Sequence, residues 1–254
     1  MVVASATGLL PAAGMGRRLG THGFIKELFP LIERRAGELL EPRPVCDFTL
    51  ERLAAAGATR TVVVIAPHKG ELLRMLEGKR HGMALAYAVQ SAPDGLPHAI
   101  RCAAPWLGTD DVVLGLPDTV VFPTDAMARA RARLTADGAD LVLGVFPVDE
   151  PERLGPVDVA PDGTVRRVLD KPGHREIPNS WGIAAWSARF TEFVCRWDEA
   201  QSARAPGERV LGHAFEAARV AGLGVRAELF ADGRMIDIGT PAGLRHALVE
   251  LDGS

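Results

Sequence analysis

The stretch Leu10-Pro11-Ala12-Ala13-Gly14-Met15-Gly16-Arg17-Arg18-Leu19, followed within the same loop by Lys26-Glu27-Leu28-Phe29-Pro30, decides the reading of this chain. The apolar run over 7–10 reads as a buried strand that empties into a glycine-rich turn. Glycine lets the backbone bend so tightly that successive N–H groups point into one concavity, which suits a phosphate. Arg18 and Lys26 add full positive charge for the same anion. The spacing excludes two common phosphate loops. A Rossmann fingerprint needs a third glycine where Leu19 stands, and a Walker loop needs Gly-Lys-Ser/Thr, a triplet this chain lacks. A dinucleotide-dependent oxidoreductase fails on the same glycine spacing.

Outward from that turn, short apolar runs alternate with helical patterns. Strands are expected over 7–10, 61–65, 85–88, 112–116 and 141–146, with helices over 48–56, 70–76, 97–106 and 125–136. Such alternation predicts an α/β fold with a Rossmann-like, mainly parallel sheet covered by helices on both faces. The second half changes character. Pro161-Asp162-Gly163 separates 157–159 from 164–169 as a hairpin, and a strand over 183–186 follows. Helices over 189–201, 210–221 and 241–251 and a strand over 225–230 complete the pattern, with loops at 34–44 and 173–178. This second portion is smaller and built of a β-hairpin and helices. At 254 residues, one domain is expected, about 1–147 forming one half and about 148–254 the other.

Composition narrows the function classes. Apolar residues make up 47% and charged residues 24%, the profile of a soluble globular chain. A net charge of −3 without a basic tract argues against nucleic-acid binding. No apolar run approaches a membrane span, and the N-terminus lacks the pattern of a signal peptide, so no membrane contact and a cytoplasmic location are expected. Cys46, Cys102 and Cys195 are isolated, which argues against disulfides or a zinc site. Four lysines stand against twenty-five arginines. Two of the four, Lys26 and Lys171, lie in motif contexts, where a compact ammonium suits phosphate oxygens.

Two acids stand out. Asp118 ends the run Val112-Val113-Leu114-Gly115-Leu116, a place suited to Mg²⁺, which prefers one or two carboxylates plus phosphate oxygens. Asp237 precedes Ile238-Gly239-Thr240-Pro241, where Thr240 reads as a helix cap and Pro241 as the first helical residue. That cap does not explain an acid set between two isoleucines. Pro93-Asp94-Gly95 is an ordinary turn into a helix, but it leaves Gln90 unexplained. His98 reads as a polar residue at that helix's start.

Together these motifs resemble the nucleoside-diphosphate-sugar pyrophosphorylases, or sugar-1-phosphate nucleotidyltransferases, glucose-1-phosphate thymidylyltransferases included. The resemblance runs from Leu9 to about Leu248 with the motifs in the family's order, although Arg17, Pro117, Thr119 and Trp181 depart from its usual residues. It implies a nucleotide triphosphate held by the turn Leu10, Ala12, Ala13, Gly14, Met15, Gly16 and Arg17, with Arg18, Lys26 and Asp118 catalytic. It implies Asp118 and Asp237 as Mg²⁺ ligands, Gln90 and Gly95 at the nucleobase, and Gly155, Asp170, Lys171, Trp181 and Gly182 at the sugar phosphate. Gly95-Leu96 leans towards a thymine or uracil nucleotide. Trp181, in place of a usual threonine, is expected to reshape the acceptor pocket and disfavour plain glucose-1-phosphate. The expected partners are a nucleoside triphosphate and a phosphorylated small molecule, with a homo-oligomer left open. Two alternatives stay open: a cytidylyltransferase for a non-sugar phosphate or phosphonate, and a catalytically silent subunit that senses nucleotide-sugars.

Overall fold

The computed structural model describes residues 6–16, 24–35, 38–39, 41–204 and 207–253. In chain order its strands are β1 Ala6–Pro11, β2 Pro30–Leu31, β3 Arg34–Arg35, β4 Glu38–Leu39, β5 Arg43–Pro44, β6 Ala58–Ile65, β7 Lys79–Arg80, β8 Met83–Val89 and β9 Asp111–Gly115. They continue with β10 Thr119–Phe122, β11 Leu141–Pro147, β12 Val157–Val159, β13 Val165–Val168, β14 Asn179–Trp186, β15 Val225–Leu229 and β16 Arg234–Asp237. The helices are α1 Val45–Ala55, α2 Gly70–Leu76, α3 Leu96–Leu107, α4 Ala126–Asp137, α5 Ala188–Arg204, α6 Leu211–Val220 and α7 Pro241–Gly253.

Eight strands form the central sheet in the order β15-β11-β14-β9-β1-β6-β8-β7. β9, β1, β6 and β8 run parallel, as do β11 and β15, while β14 lies antiparallel between β9 and β11. The expected α/β architecture with a mainly parallel sheet is therefore present. Side chains alternate between two cores along each strand. Leu9, Val62, Val112 and Leu143 pack with Ile100, Phe190 and Phe215 from α3, α5 and α6. Leu10, Val63, Val113 and Val142 pack on the other face with Leu50, Leu53, Met127 and Leu134 from α1 and α4. Burial on both faces is why these strands read as unbroken apolar runs.

The periodicity gave no warning of β10 and β16, which pair antiparallel outside the main sheet. Four-residue strands carry too few alternations to register, and their stability comes from a third core. Val120 and Ile236 pack there with Phe48 of α1 and with Ala247 and Leu251 of α7. β14 starts at Asn179 rather than 183. The Asn179 amide holds the Val157 N–H at 2.9 Å and donates to the Val157 carbonyl at 3.1 Å, which draws a polar segment into the sheet. The expected loop over 34–44 contains the short β3–β4 pairing and ends in β5, which pairs with β2 just before the loop.

Candidate active site

Parallel pairing sends the segments after β1, β6, β8 and β9 to one edge of the sheet. These are the glycine turn, the tight turn Pro67–Lys69, the segment from Gln90, and Leu116-Pro117-Asp118. β1 lies between β6 and β9, so the strand order reverses there, the place where open α/β sheets bind ligands. Antiparallel β14 brings its first residues, Trp181 and Gly182 among them, to the same edge.

A cleft of about 290 Å³ opens at this switch point, lined by Ala13, Gly14, Lys26, Glu27, Gln90, Gly95 and Asp118. Gly14 is exposed, and a Cβ built there would meet no atom within 4 Å, so a ligand could approach its backbone. Gly16 sits at φ +64°, the left-handed region where glycine carries no Cβ penalty. With exposed Met15 it borders an adjoining cavity of about 670 Å³ that also contains Lys26. Leu10 and Ala12 are fully buried, so only their backbone could serve a ligand. Arg17 and Arg18 lie outside the described residues.

Lys26 Nζ donates to Asp118 Oδ2, joining the loop after β1 to the loop after β9. Burial works against the ammonium, but the charge and hydrogen bond of Asp118, with Glu27 and Asp237 behind it, hold its pKa above the ordinary lysine value. Asp237 reaches this neighbourhood through the unexpected strand pair. Thr119 faces Asp237 in the β10–β16 register, and the Ile238 N–H donates to the Asp118 carbonyl at 2.9 Å. Asp237 Oδ1 accepts the Gly239 N–H at 2.6 Å, which fixes its carboxylate at the entry to α7. The Thr240 hydroxyl accepts the Gly243 N–H at 3.0 Å, the expected helix cap.

Among the described residues no cluster of three or more His, Cys, Asp or Glu side chains could cage a metal. The carboxylates of Asp118 and Asp237 could instead hold a hard cation, a kind that takes its remaining ligands from phosphate and water. None of the cysteines lines the cleft.

On another wall of the cleft, Gln90 Nε2 donates to the Gly95 carbonyl at 3.0 Å and lies 3.1 Å from His98 Nδ1. With the amide nitrogen so engaged, the carbonyl Oε1 is the end that can face a ligand. His98, the third residue of α3, is the expected polar residue at that helix's start and meets Gln90 there. Gly95 has φ +93°, and a Cβ there would run into the Arg209 carbonyl, so only glycine allows this approach. The Arg209 N–H in turn donates to the Asp94 carbonyl at 2.9 Å and pins the loop.

The residues expected at the acceptor gather less tightly. The Trp181 N–H donates to the Gly155 carbonyl at 3.1 Å, and the Lys171 N–H to that of Leu154 at 2.8 Å. Lys171 is exposed and holds the left-handed backbone at φ +42°, unusual for a residue with a side chain. The Trp181 indole is half-buried, edge-on to Phe215 with ring centroids 5.2 Å apart, and its Nε1 lies 2.4 Å from where a Gly155 Cβ would stand, too close for one to fit. Gly182 is buried against Phe146 and Met235. Asp170 Oδ2 lies 3.8 Å from His213 Nε2.

Sequence reasoning passed over Lys69 and Glu27. Both are almost fully buried beside the glycine turn, with Lys69 Nζ 2.7 Å from Glu27 Oε1 and 2.8 Å from the Ala12 carbonyl. The scarcity of lysine was the available signal, but Lys69 lay in no recognisable motif.

Comparison with known proteins identifies the chain's family and fold. A family model described as nucleotidyl transferase matches residues 9–251. The low-salt glycan biosynthesis nucleotidyltransferase Agl11 of Haloferax volcanii is 32% identical over 65% of this chain and 44% of its own length. A glucose-1-phosphate thymidylyltransferase of Streptomyces antibioticus is 32% identical over 65% of this chain and 45% of its own. That of Neisseria meningitidis is 28% identical over 74% and 63% respectively. The chain thus spans about half the length of most of these relatives. A crystal structure from Bacillus anthracis, described as a glucose-1-phosphate thymidylyltransferase with sucrose, superposes with a TM-score of 0.84 at 20% identity. It covers 98% of this chain and 96% of that one, which establishes a shared fold. Matched over almost its whole length by the family model, this chain belongs to the nucleotidyl transferase family.

Proposed function

We propose that this chain transfers a nucleotidyl group from a nucleoside triphosphate, dTTP or UTP, to a sugar-1-phosphate, releasing pyrophosphate and forming a nucleotide-sugar. The observation that carries the reading is the convergence of the glycine turn, Lys26 and Asp118 in one cleft at the sheet's switch point, with Asp237 alongside. An oxygen of the acceptor phosphate forms the new bond to the α-phosphorus as the bond to the β-phosphate bridge breaks. The phosphate monoester is already anionic near neutral pH, so no protein base or nucleophile is needed. Catalysis is then positioning plus charge neutralisation by Lys26, Arg18 and the turn's amides. Asp118 and Asp237 would hold Mg²⁺, which when bound would neutralise developing phosphate charge.

The half 1–147 takes the nucleotide and the half 148–254 the sugar phosphate. Gln90 Oε1 would accept the N3–H of a uracil or thymine ring, because its amide nitrogen is engaged by Gly95 and His98. The thymidylyltransferase relatives support that base and a hexose-1-phosphate acceptor. Bulk at Trp181 favours an acceptor smaller or less polar than glucose-1-phosphate.

A pyrophosphate-release screen of triphosphates against sugar-1-phosphates tests the whole reading. The expected result is a preference for dTTP or UTP, with glucose-1-phosphate used poorly until Trp181→Thr opens the pocket. A preference for ATP or GTP would end the base assignment. Efficient use of glucose-1-phosphate, unchanged by Trp181→Thr, would end the pocket assignment. Lys171→Ala should raise the KM for the acceptor by about tenfold and leave the nucleotide KM near wild type, the loss of one charged phosphate contact. A change confined to the nucleotide KM would move the acceptor phosphate elsewhere.

A further inference from the structure

We infer that Lys69 is a positioning residue of the nucleotide site, clamping the entrance of the glycine turn to the segment that presents Lys26. The inference rests on the proposed reading of the cleft as a triphosphate site.

The Lys69 side chain comes from the turn after β6 and reaches the start of the glycine turn at Ala12. Its ammonium makes two short bonds in different directions: 2.8 Å to the Ala12 carbonyl and 2.7 Å to Glu27 Oε1. The Ala12 N–H is held in turn by the Val64 carbonyl at 2.7 Å, so both polar groups of the Ala12 backbone are tied down just before Gly14. Glu27 directly follows Lys26 in the short 3₁₀ turn Lys26–Leu28. Anchoring Glu27 inward therefore fixes the adjoining backbone and leaves Lys26, the residue before it, to reach Asp118. One ammonium thus sets the distance between the turn's amides and the lysine that would share their anion.

Stability alone is a poor reason for this pair. Lys69 is 4% and Glu27 0% exposed, and a buried ion pair of this kind commonly stabilises no better than apolar residues of the same volume. Burial brings the Lys69 pKa below its ordinary value despite Glu27, a sign of how much desolvation the arrangement carries. Among the described residues Glu27 Oε2 has no hydrogen-bond partner, although Glu27 borders the cleft. The choice of lysine in an arginine-rich chain also has a reason here. A compact ammonium can bond a carbonyl and a carboxylate at different angles in a confined space, whereas a planar guanidinium imposes a fork.

The test uses Lys69→Met and the apolar double replacement Lys69→Met/Glu27→Leu in the full chain. Thermal melting reports folding, calorimetry with dTTP and UTP reports nucleotide binding, and steady-state assays report the KM for each substrate. Lys69→Met should weaken triphosphate binding about tenfold or more, with the acceptor KM unchanged, because the turn and Lys26 lose their common tether. The double variant should regain thermal stability but not nucleotide affinity. Recovery of both would make the pair purely structural and overturn the inference, as would a folded Lys69→Met chain with wild-type nucleotide affinity. Should Lys69→Met not fold, the double variant alone decides between these outcomes. A wild-type chain that binds no triphosphate would instead overturn the reading of the cleft, a result distinct from either variant's.

Discussion

Asp118→Asn and Asp237→Asn should each lower turnover by at least about a hundredfold. Removing one carboxylate from a hard-cation site forfeits several kcal/mol of charge stabilisation, and each 1.4 kcal/mol is a factor of ten in rate. The two variants should differ in stability. In Asp237→Asn the amide oxygen of the new side chain can still accept the Gly239 N–H, so the start of α7 should keep its melting temperature. At Asp118 the substitution takes the charge partner from Lys26, whose side chain is only 13% exposed, and some loss of stability should accompany the loss of turnover. Pyrophosphate release measured against Mg²⁺ concentration, with EDTA as control, checks the assignment. Full activity in Asp237→Asn, or indifference to EDTA, would remove the cation from the proposed function.

The glycine turn and the strand ends were legible in the sequence for a physical reason. Strands buried on both faces appear as unbroken apolar runs, so Val112 to Leu114 announced β9 and hence the loop that carries Asp118. What joins Asp118 to Asp237 was not legible. β10 and β16 pair residues more than a hundred positions apart, Phe122 with Arg234 and Thr119 with Asp237, and each strand is four residues long, too short for a periodic signal. Their pairing depends on a core assembled from α1 and α7 at opposite ends of the chain. Lys69 escaped for a similar reason, since its partner Glu27 lies 42 residues upstream and Lys69 itself sits in no motif that local spacing reveals. At Trp181 the sequence showed a large ring but not its surroundings. Phe215, which takes one edge of the indole, belongs to α6, and Gly155 belongs to the segment before β12. Long-range packing of this sort follows from topology, and the local pattern does not carry it.

Lys26 should be the most sensitive cation among the described residues of the site. Lys26→Ala is expected to lower kcat/KM for the triphosphate by about a hundredfold or more, since a charge-assisted phosphate contact in a sheltered cleft is worth about 2–3 kcal/mol. Its side chain reaches across the cleft, so the loss acts twice. The phosphate loses a cation, and Asp118, 11% exposed at its side chain, loses the ammonium that neutralises it. Without Mg²⁺, a carboxylate left uncompensated and facing an incoming triphosphate adds repulsion to the missing attraction. Lys26→Arg should restore little, because a planar fork cannot replace a point charge that bonds Asp118 and a phosphate oxygen in different directions. The double variant Lys26→Ala/Asp118→Asn separates the two contributions. Measured without Mg²⁺, it should bind triphosphate better than Lys26→Ala alone, since the repulsion is gone, while turnover with Mg²⁺ stays low because both groups are missing from the reacting centre. Triphosphate affinity by calorimetry and single-turnover rates measure the two separately. Wild-type affinity in Lys26→Ala would show that the glycine turn holds the phosphates without this lysine, and the cleft would have to be oriented differently from the arrangement proposed here.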